Sequence, residues 1–122
     1  MRTVTAEEAN IALFSYGTLQ QPEVQIANYG RLLRGEPDRL AGYLLARITI
    51  TDPNVVALSG KSAHQIARFT GNATDLIDGM VLMLMPSELA ATDAYETDDY
   101  RRVELTLQSG RTAFVYVEAN PA

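Results

Sequence analysis

Two short stretches hold residues whose types and spacing can do chemistry. The first is Phe14-Ser15-Tyr16-Gly17-Thr18-Leu19, where an apolar run meets an aromatic, a glycine and a hydroxyl. A chain reversal needs only the glycine, so the tyrosine and threonine suggest that something is held there. Glycine lets backbone approach a ligand with no side chain in between. The N–H groups around Gly17, Thr18 and Leu19 can then face an anion. Pro22 and Glu23 follow, a helix opening that itself favours negative charge.

The second stretch is Asp93-Ala94-Tyr95-Glu96 with Tyr100-Arg101-Arg102-Val103. Glu96 lies between two tyrosines, an arrangement suited to proton transfer if the rings exclude water. Burial would lift its carboxyl above the ordinary ~4.3 of a glutamate. Asp98 and Asp99 would push the same way if close, whereas Arg101 or Arg102 would oppose it. Taken singly, each stretch also fits a plain structural role, as a strand-ending turn or a carboxylate at a helix end.

Other candidates carry less. His64 is the single histidine and there is no cysteine, so a metal site lacks its usual ligands, and thiol chemistry and disulfides are excluded. Ser15, Ser59, Ser62, Ser87 and Ser109 lack the context of a nucleophile elbow. The acidic run Glu96, Asp98, Asp99 reads as a solvated loop rather than a cation site. Met80, Met83 and Met85 read as core packing in a strand.

The elements that must position these residues follow from hydrophobic period and punctuation. Ile11–Ser15 reads as a buried strand, and Pro22–Asn28 as a short helix ending near Gly30. Residues 39–50 form a strand kinked at Gly42, followed by a turn at 51–54. Further strands are expected at 55–58, 65–70 and 77–85, with Gly79 marking a bulge or close backbone contact. Pro86–Tyr95 switches to a helical period, with Ser87 as cap and Glu88 in the first turn. Leu89, Asp93 and Glu96 then share one side. Residues 102–107 and 111–117 alternate around a Ser109-Gly110 hairpin turn. The pattern predicts an α+β domain: a small, curved, mixed or mostly antiparallel sheet closing into a barrel, with a few short helices.

Composition bounds the rest. At 122 residues, 47% apolar and 20% charged, the chain has an ordinary globular balance and suits a single domain. Residues 1–10 read as a flexible lead-in and 11–122 as the domain. Ten basic against fifteen acidic residues give −5, and no basic stripe appears, which argues against nucleic acid or anionic lipid as partner. The N-terminus has no apolar core, and the run Met80–Met85 is far too short to span a bilayer. A cytoplasmic monomer is expected, since no long heptad or broad apolar helix face is present.

Together the two stretches resemble the gamma-glutamylcyclotransferase-like family, which includes AIG2-like proteins and gamma-glutamylamine cyclotransferases. That family opens with a strand and Tyr-Gly-Thr/Ser-Leu, matched by Tyr16, Gly17, Thr18 and Leu19. Its second signature, Leu-Asp-x-(aromatic)-Glu-Gly and then Tyr-x-Arg before a strand, is matched by Asp93, Tyr95, Glu96, Tyr100, Arg102 and Val103. Gly79 matches a family glycine as well. Thr92 stands where leucine is usual, and Thr97 where glycine is frequent.

The resemblance implies cyclisation of a gamma-glutamyl amide or isopeptide to 5-oxoproline, with release of an amine or amino acid and without cofactor or metal. Glu96 would be the catalytic acid/base, and Tyr16, Gly17, Thr18, Leu19 and Tyr100 would bind a small gamma-glutamyl substrate. Two alternatives stay open: a non-catalytic domain binding gamma-glutamyl or other small carboxylates, and hydrolysis of the same amides to glutamate.

Overall fold

The computed structural model, which describes residues 5, 7–49, 53–54, 57, 63–96 and 99–119, holds seven strands in one sheet. They are β1 (Ile11–Ser15), β2 (Gly35–Ala41), β3 (Tyr43–Thr49), β4 (Ala63–Phe69), β5 (Leu76–Leu84), β6 (Tyr100–Thr106) and β7 (Thr112–Glu118). Among the elements described in full are the helices α1 (Pro22–Tyr29) and α2 (Pro86–Tyr95) and a 3-10 turn at Thr18–Gln20. The strands follow the order β2-β5-β1-β7-β4-β3, with β6 paired to β7. The sheet is mixed: β1 and β4 run parallel to β7, and the other pairings are antiparallel.

β7 is the hub. β6 pairs with it from Tyr100↔Glu118 to Thr106↔Thr112 and so occupies one whole edge. β1 and β4 must therefore share the other edge, β1 at Phe114 and Val115 and β4 at Val117. The sheet forks between them.

The sheet does not close into a barrel, which corrects the expectation from sequence. The ends of the strand path, β2 and β3, are consecutive in the chain and separated only by Gly42. Gly42 has φ 85°, a left-handed conformation that interrupts an extended ladder. On one side β2 pairs with β5, on the other β3 pairs with β4. Among the described residues no ladder joins β2 to β3.

Side chains alternate across the strands and build a core on each face. On one face Leu13, Leu82, Leu84 and Tyr116 pack against Leu19, Val24, Tyr29, Leu89 and Tyr95 from the 3-10 turn and both helices. On the other, Phe14, Leu40, Ala67, Ile77, Val81, Leu107, Val115 and Val117 pack together. Met80 packs against the first core and Met83 against the second, as expected of strand methionines. Gly79 marks a close contact: a Cβ there would lie 2.4 Å from the Ser15 carbonyl oxygen and 2.6 Å from the Phe14 ring. No larger residue fits where β5 passes β1.

Helix α2 begins differently from the expectation that Ser87 caps it. Met85 is the N-cap, and the Glu88 carboxylate reaches back to its N–H at 2.8 Å. Glu88 also receives two hydrogen bonds, of 2.7 and 2.8 Å, from the buried Arg31 guanidinium, which fastens the end of α1 to the start of α2. Of the strand expected at 55–58, Ala57 is helical, as are Pro53 and Asn54 just before it; the others lie outside the described residues.

Candidate active site

β1 delivers the chain to the site. Beyond it, Ser15 accepts the Gly17 N–H at 3.4 Å, and the Gln20 side-chain amide donates to the Ser15 carbonyl at 2.8 Å. Thr18–Gln20 then form one 3-10 turn, closed by the Gln20 N–H on Gly17 O and the Gln21 N–H on Thr18 O. Such a turn leaves its first N–H groups without internal acceptors. Those of Thr18 and Leu19 meet none among the described residues. Gly17 is exposed, and a Cβ added to it would enter open space. Two unspent donors thus lie beside a residue with free volume over its α-carbon. The turn is held from below by buried Gln25, which donates to Leu19 O and accepts from the Leu33 N–H, each at 2.9 Å.

Glu96 closes the C-terminal end of α2, where its N–H donates to Thr92 O at 2.9 Å. Thr18 Oγ1 and Tyr95 Oη are 2.8 Å apart, so one hydrogen bond links the turn to the helix end that carries Glu96. Burial, and after it the Asp93 carboxylate one turn earlier, push the Glu96 carboxyl up to about 8. Tyrosines surround it. Burial raises the hydroxyl pKa of Tyr16, Tyr29, Tyr100 and Tyr116, with the Glu96 charge adding to each, and Tyr29 reaches about 12. All four are therefore neutral hydroxyls at physiological pH.

Asp93 holds the far side. Its Oδ1 accepts from Tyr116 Oη at 2.5 Å, and its Oδ2 accepts from Arg102 at 2.7 Å. The Arg102 guanidinium lies 5.0 Å above the Phe114 ring. Arg102 is thus paired rather than directed at Glu96. The like charge acting on Glu96 comes from Asp93, not from Asp99, which is exposed, and Asp98 lies outside the described residues.

The expected site residues come together in different capacities. Leu19 has a buried side chain, so only its backbone can meet a ligand. The Tyr16 hydroxyl sits in the fork of the sheet, donating to Tyr116 O at 2.5 Å and accepting the Ala67 N–H at 3.0 Å. The Tyr100 hydroxyl donates to Gln65 O at 3.0 Å. Both tyrosines have their hydroxyls engaged by backbone.

Sequence reasoning gave no site role to Asp93, Tyr116, Tyr29 or Thr92. The spacing already places Asp93 on the same side of the helix as Glu96, and such pairs neighbour each other, but no charge effect on Glu96 is drawn from it. Tyr116 carried none, because a strand's alternation does not say which face meets α2. Thr92, fully buried, accepts Tyr29 Oη at 2.5 Å and donates to Glu88 O at 2.8 Å. Leucine would leave that buried tyrosine hydroxyl without this partner. Among the described residues no three His, Cys, Asp or Glu side chains gather as a metal site would, and no helix is long and apolar enough to cross a membrane.

The architecture recurs in solved structures. A solution structure from Arabidopsis thaliana superimposes with a TM-score of 0.70 at 21% identity, covering 92% of this chain and 70% of that one. An uncharacterized Homo sapiens protein gives 0.70 at 18% identity, covering 90% and 67%. A structure named gamma-glutamyl cyclotransferase gives 0.68 at 17% identity, again covering 90% and 67%. At these identities the likeness concerns the fold alone. No curated protein matches the chain in sequence. The family described as gamma-glutamyl cyclotransferase, AIG2-like, matches residues 13–122, from within β1 through β7 and across both candidate stretches, and the chain belongs to that family.

Proposed function

We propose that the protein cyclises the gamma-glutamyl group of a small amide or isopeptide to 5-oxoproline and releases the amine, with Glu96 transferring the protons. The observation that carries this reading is a half-buried carboxyl, pushed up to about 8 by desolvation and by Asp93, on a helix end hydrogen-bonded to the Tyr16–Leu19 turn. The nucleophile is the substrate's own α-amine, so the protein need supply none. Closing a five-membered ring within one molecule already supplies an effective concentration on the order of 10⁵ M when the arm is well oriented.

Glu96 takes a proton from the α-ammonium, and the freed amine attacks the γ-carbonyl. As the oxyanion collapses the γ-carbon–nitrogen bond breaks, and Glu96 returns the proton to the departing nitrogen. The ring nitrogen, still cationic with two hydrogens, gives its second proton to the again ionised Glu96 and from there to solvent. A carboxyl near 8 suits both steps, because its affinity for the proton lies much closer to that of an amine than an ordinary glutamate's does. The unspent N–H groups of Thr18 and Leu19 are suited to the substrate's carboxylate or to the oxyanion. Tyr100 is close enough for the Glu96 charge to raise its hydroxyl pKa, which suits its ring to a wall of the site.

The test is a panel of gamma-glutamyl amines, gamma-glutamyl amino acids and glutathione, followed by mass spectrometry for 5-oxoproline and the released amine. Wild type is expected to form 5-oxoproline from at least one member, and Glu96→Gln to lose that turnover by 10²-fold or more, in line with removal of a general acid/base. Equal turnover by the variant, or glutamate in place of 5-oxoproline, would overturn the mechanism. Binding without turnover would overturn the enzymatic reading.

A further inference from the structure

On the face of the sheet away from the helices lies a cavity of about 250 Å³, lined by Tyr43, Ala67, Phe69, Arg101, Val117 and Glu118. It shares no residue with the Glu96 site. Strand register explains its shape. Ala67, Val117 and Arg101 are cross-strand partners in one row, and Tyr43↔Phe69 is the pair two residues along, so on the same face. Ala67 and Val117 are buried and form an aliphatic floor. Tyr43 and Phe69 form an aromatic wall, edge to face with ring centroids 5.4 Å apart. Phe69 is 63% exposed, an apolar ring left to solvent at the mouth.

The charges at the cavity differ in their commitments. Glu118 is bound to Arg68 through contacts of 2.6 and 3.0 Å, so its charge is met. Arg101 has no ion pair or hydrogen bond among the described residues, although its field reaches Tyr43 and favours ionisation of that hydroxyl against the effect of burial. Aromatic wall, aliphatic floor and one uncommitted guanidinium form a concave apolar site with a single convergent polar group. Sites for drug-sized ligands start at about 300 Å³, so the occupant here is smaller.

We propose that this cavity binds a small aromatic carboxylate, with the ring against Tyr43 and Phe69 and the carboxylate on Arg101. Guanidinium is the side chain best matched to a carboxylate, through two parallel hydrogen bonds. The proposal stands whether or not Glu96 is catalytic.

The probe is benzoate, titrated into the ¹⁵N-labelled full chain with amide shifts followed, and benzyl alcohol and benzylamine are the neutral and cationic controls. Benzoate is expected to saturate, moving the amides of Ala67, Phe69 and Val117, while both controls bind at least tenfold more weakly. Arg101→Gln, at an exposed position, is expected to keep the wild-type spectrum elsewhere and to lose that preference. Four results would overturn the proposal: no saturation by benzoate at millimolar concentration, equal binding of benzylamine, shifts confined to residues around Glu96, or a concentration-dependent dimer that covers Phe69.

Discussion

A carboxyl near 8 gains and loses its proton around neutral pH, well above the range of an ordinary glutamate, and this gives Glu96 two measurable signatures. The first is kinetic. On the proposed mechanism Glu96 must be ionised to accept the proton, so kcat/KM for cyclisation should rise with pH and level off above about 8. Asp93→Asn removes the like charge and frees Arg102 from its partner, and both changes favour the ionised form of Glu96. The acid limb should therefore move to lower pH, and an unmoved limb in a pH profile of the variant would remove Asp93 from the tuning of Glu96. The second signature is in stability. Below the unfolded value of 4.5 both states hold the proton. Between 4.5 and about 8 the folded state alone retains it, so stability falls as pH rises, at up to about 1.4 kcal/mol per pH unit. Above that range the loss is complete. Gln is neutral in both states, so Glu96→Gln should match wild type in Tm near pH 4 and exceed it increasingly towards pH 9.

Among the elements, the fork of the sheet is where side-chain chemistry replaces a missing ladder. β1 and β4 share an edge of β7, and the Tyr16 hydroxyl between them accepts the Ala67 N–H and donates to Tyr116 O. Tyr16→Phe keeps the ring but leaves both backbone groups unpaired, so it should cost about 1–3 kcal/mol for each buried group, read as a lower urea midpoint at unchanged slope. If the hydroxyl serves only the fork, KM in the surviving folded fraction stays at the wild-type value. This fork also marks what could be read from the chain beforehand. β1 and α2 have the bounds that apolar period and Pro86 implied, and Gly79 makes the close contact assigned to it. Those are local signals. The pairing of β1 with β7 joins residues about a hundred positions apart, and no period in either strand encodes it. Open rather than closed ends depend on which partners β2 and β3 take, which is equally non-local. In the site the same division holds: the turn and Glu96 were legible as motifs, whereas Tyr29 and Tyr116 arrive through packing of α1 and β7.

At the scale of the molecule, two cores lie back to back on the same strands. Leu13 belongs to one and Phe14 to the other, and along β7 Tyr116 and Val115 divide in the same way. Neither core can dissolve without releasing β1 and β7 from the other. The chain should therefore unfold in one transition, with far-ultraviolet dichroism of the backbone coinciding with tyrosine fluorescence. Gly42 tests this coupling away from the site. It joins the two ends of the strand path, donates its N–H to Asp75 O at 2.9 Å, and accepts those of Thr70 and Gly71. A Cβ at Gly42 meets no atom within 4 Å, so replacement acts through backbone strain alone at φ 85°. Gly42→Ala should cost about 1–2 kcal/mol, the usual penalty for a left-handed residue with a side chain. Both probes should shift to a lower urea midpoint together. If instead they separate, with the strand signal lost before tyrosine packing, the arm formed by β3 and β4 unfolds by itself, and the shared strands do not enforce a single cooperative unit.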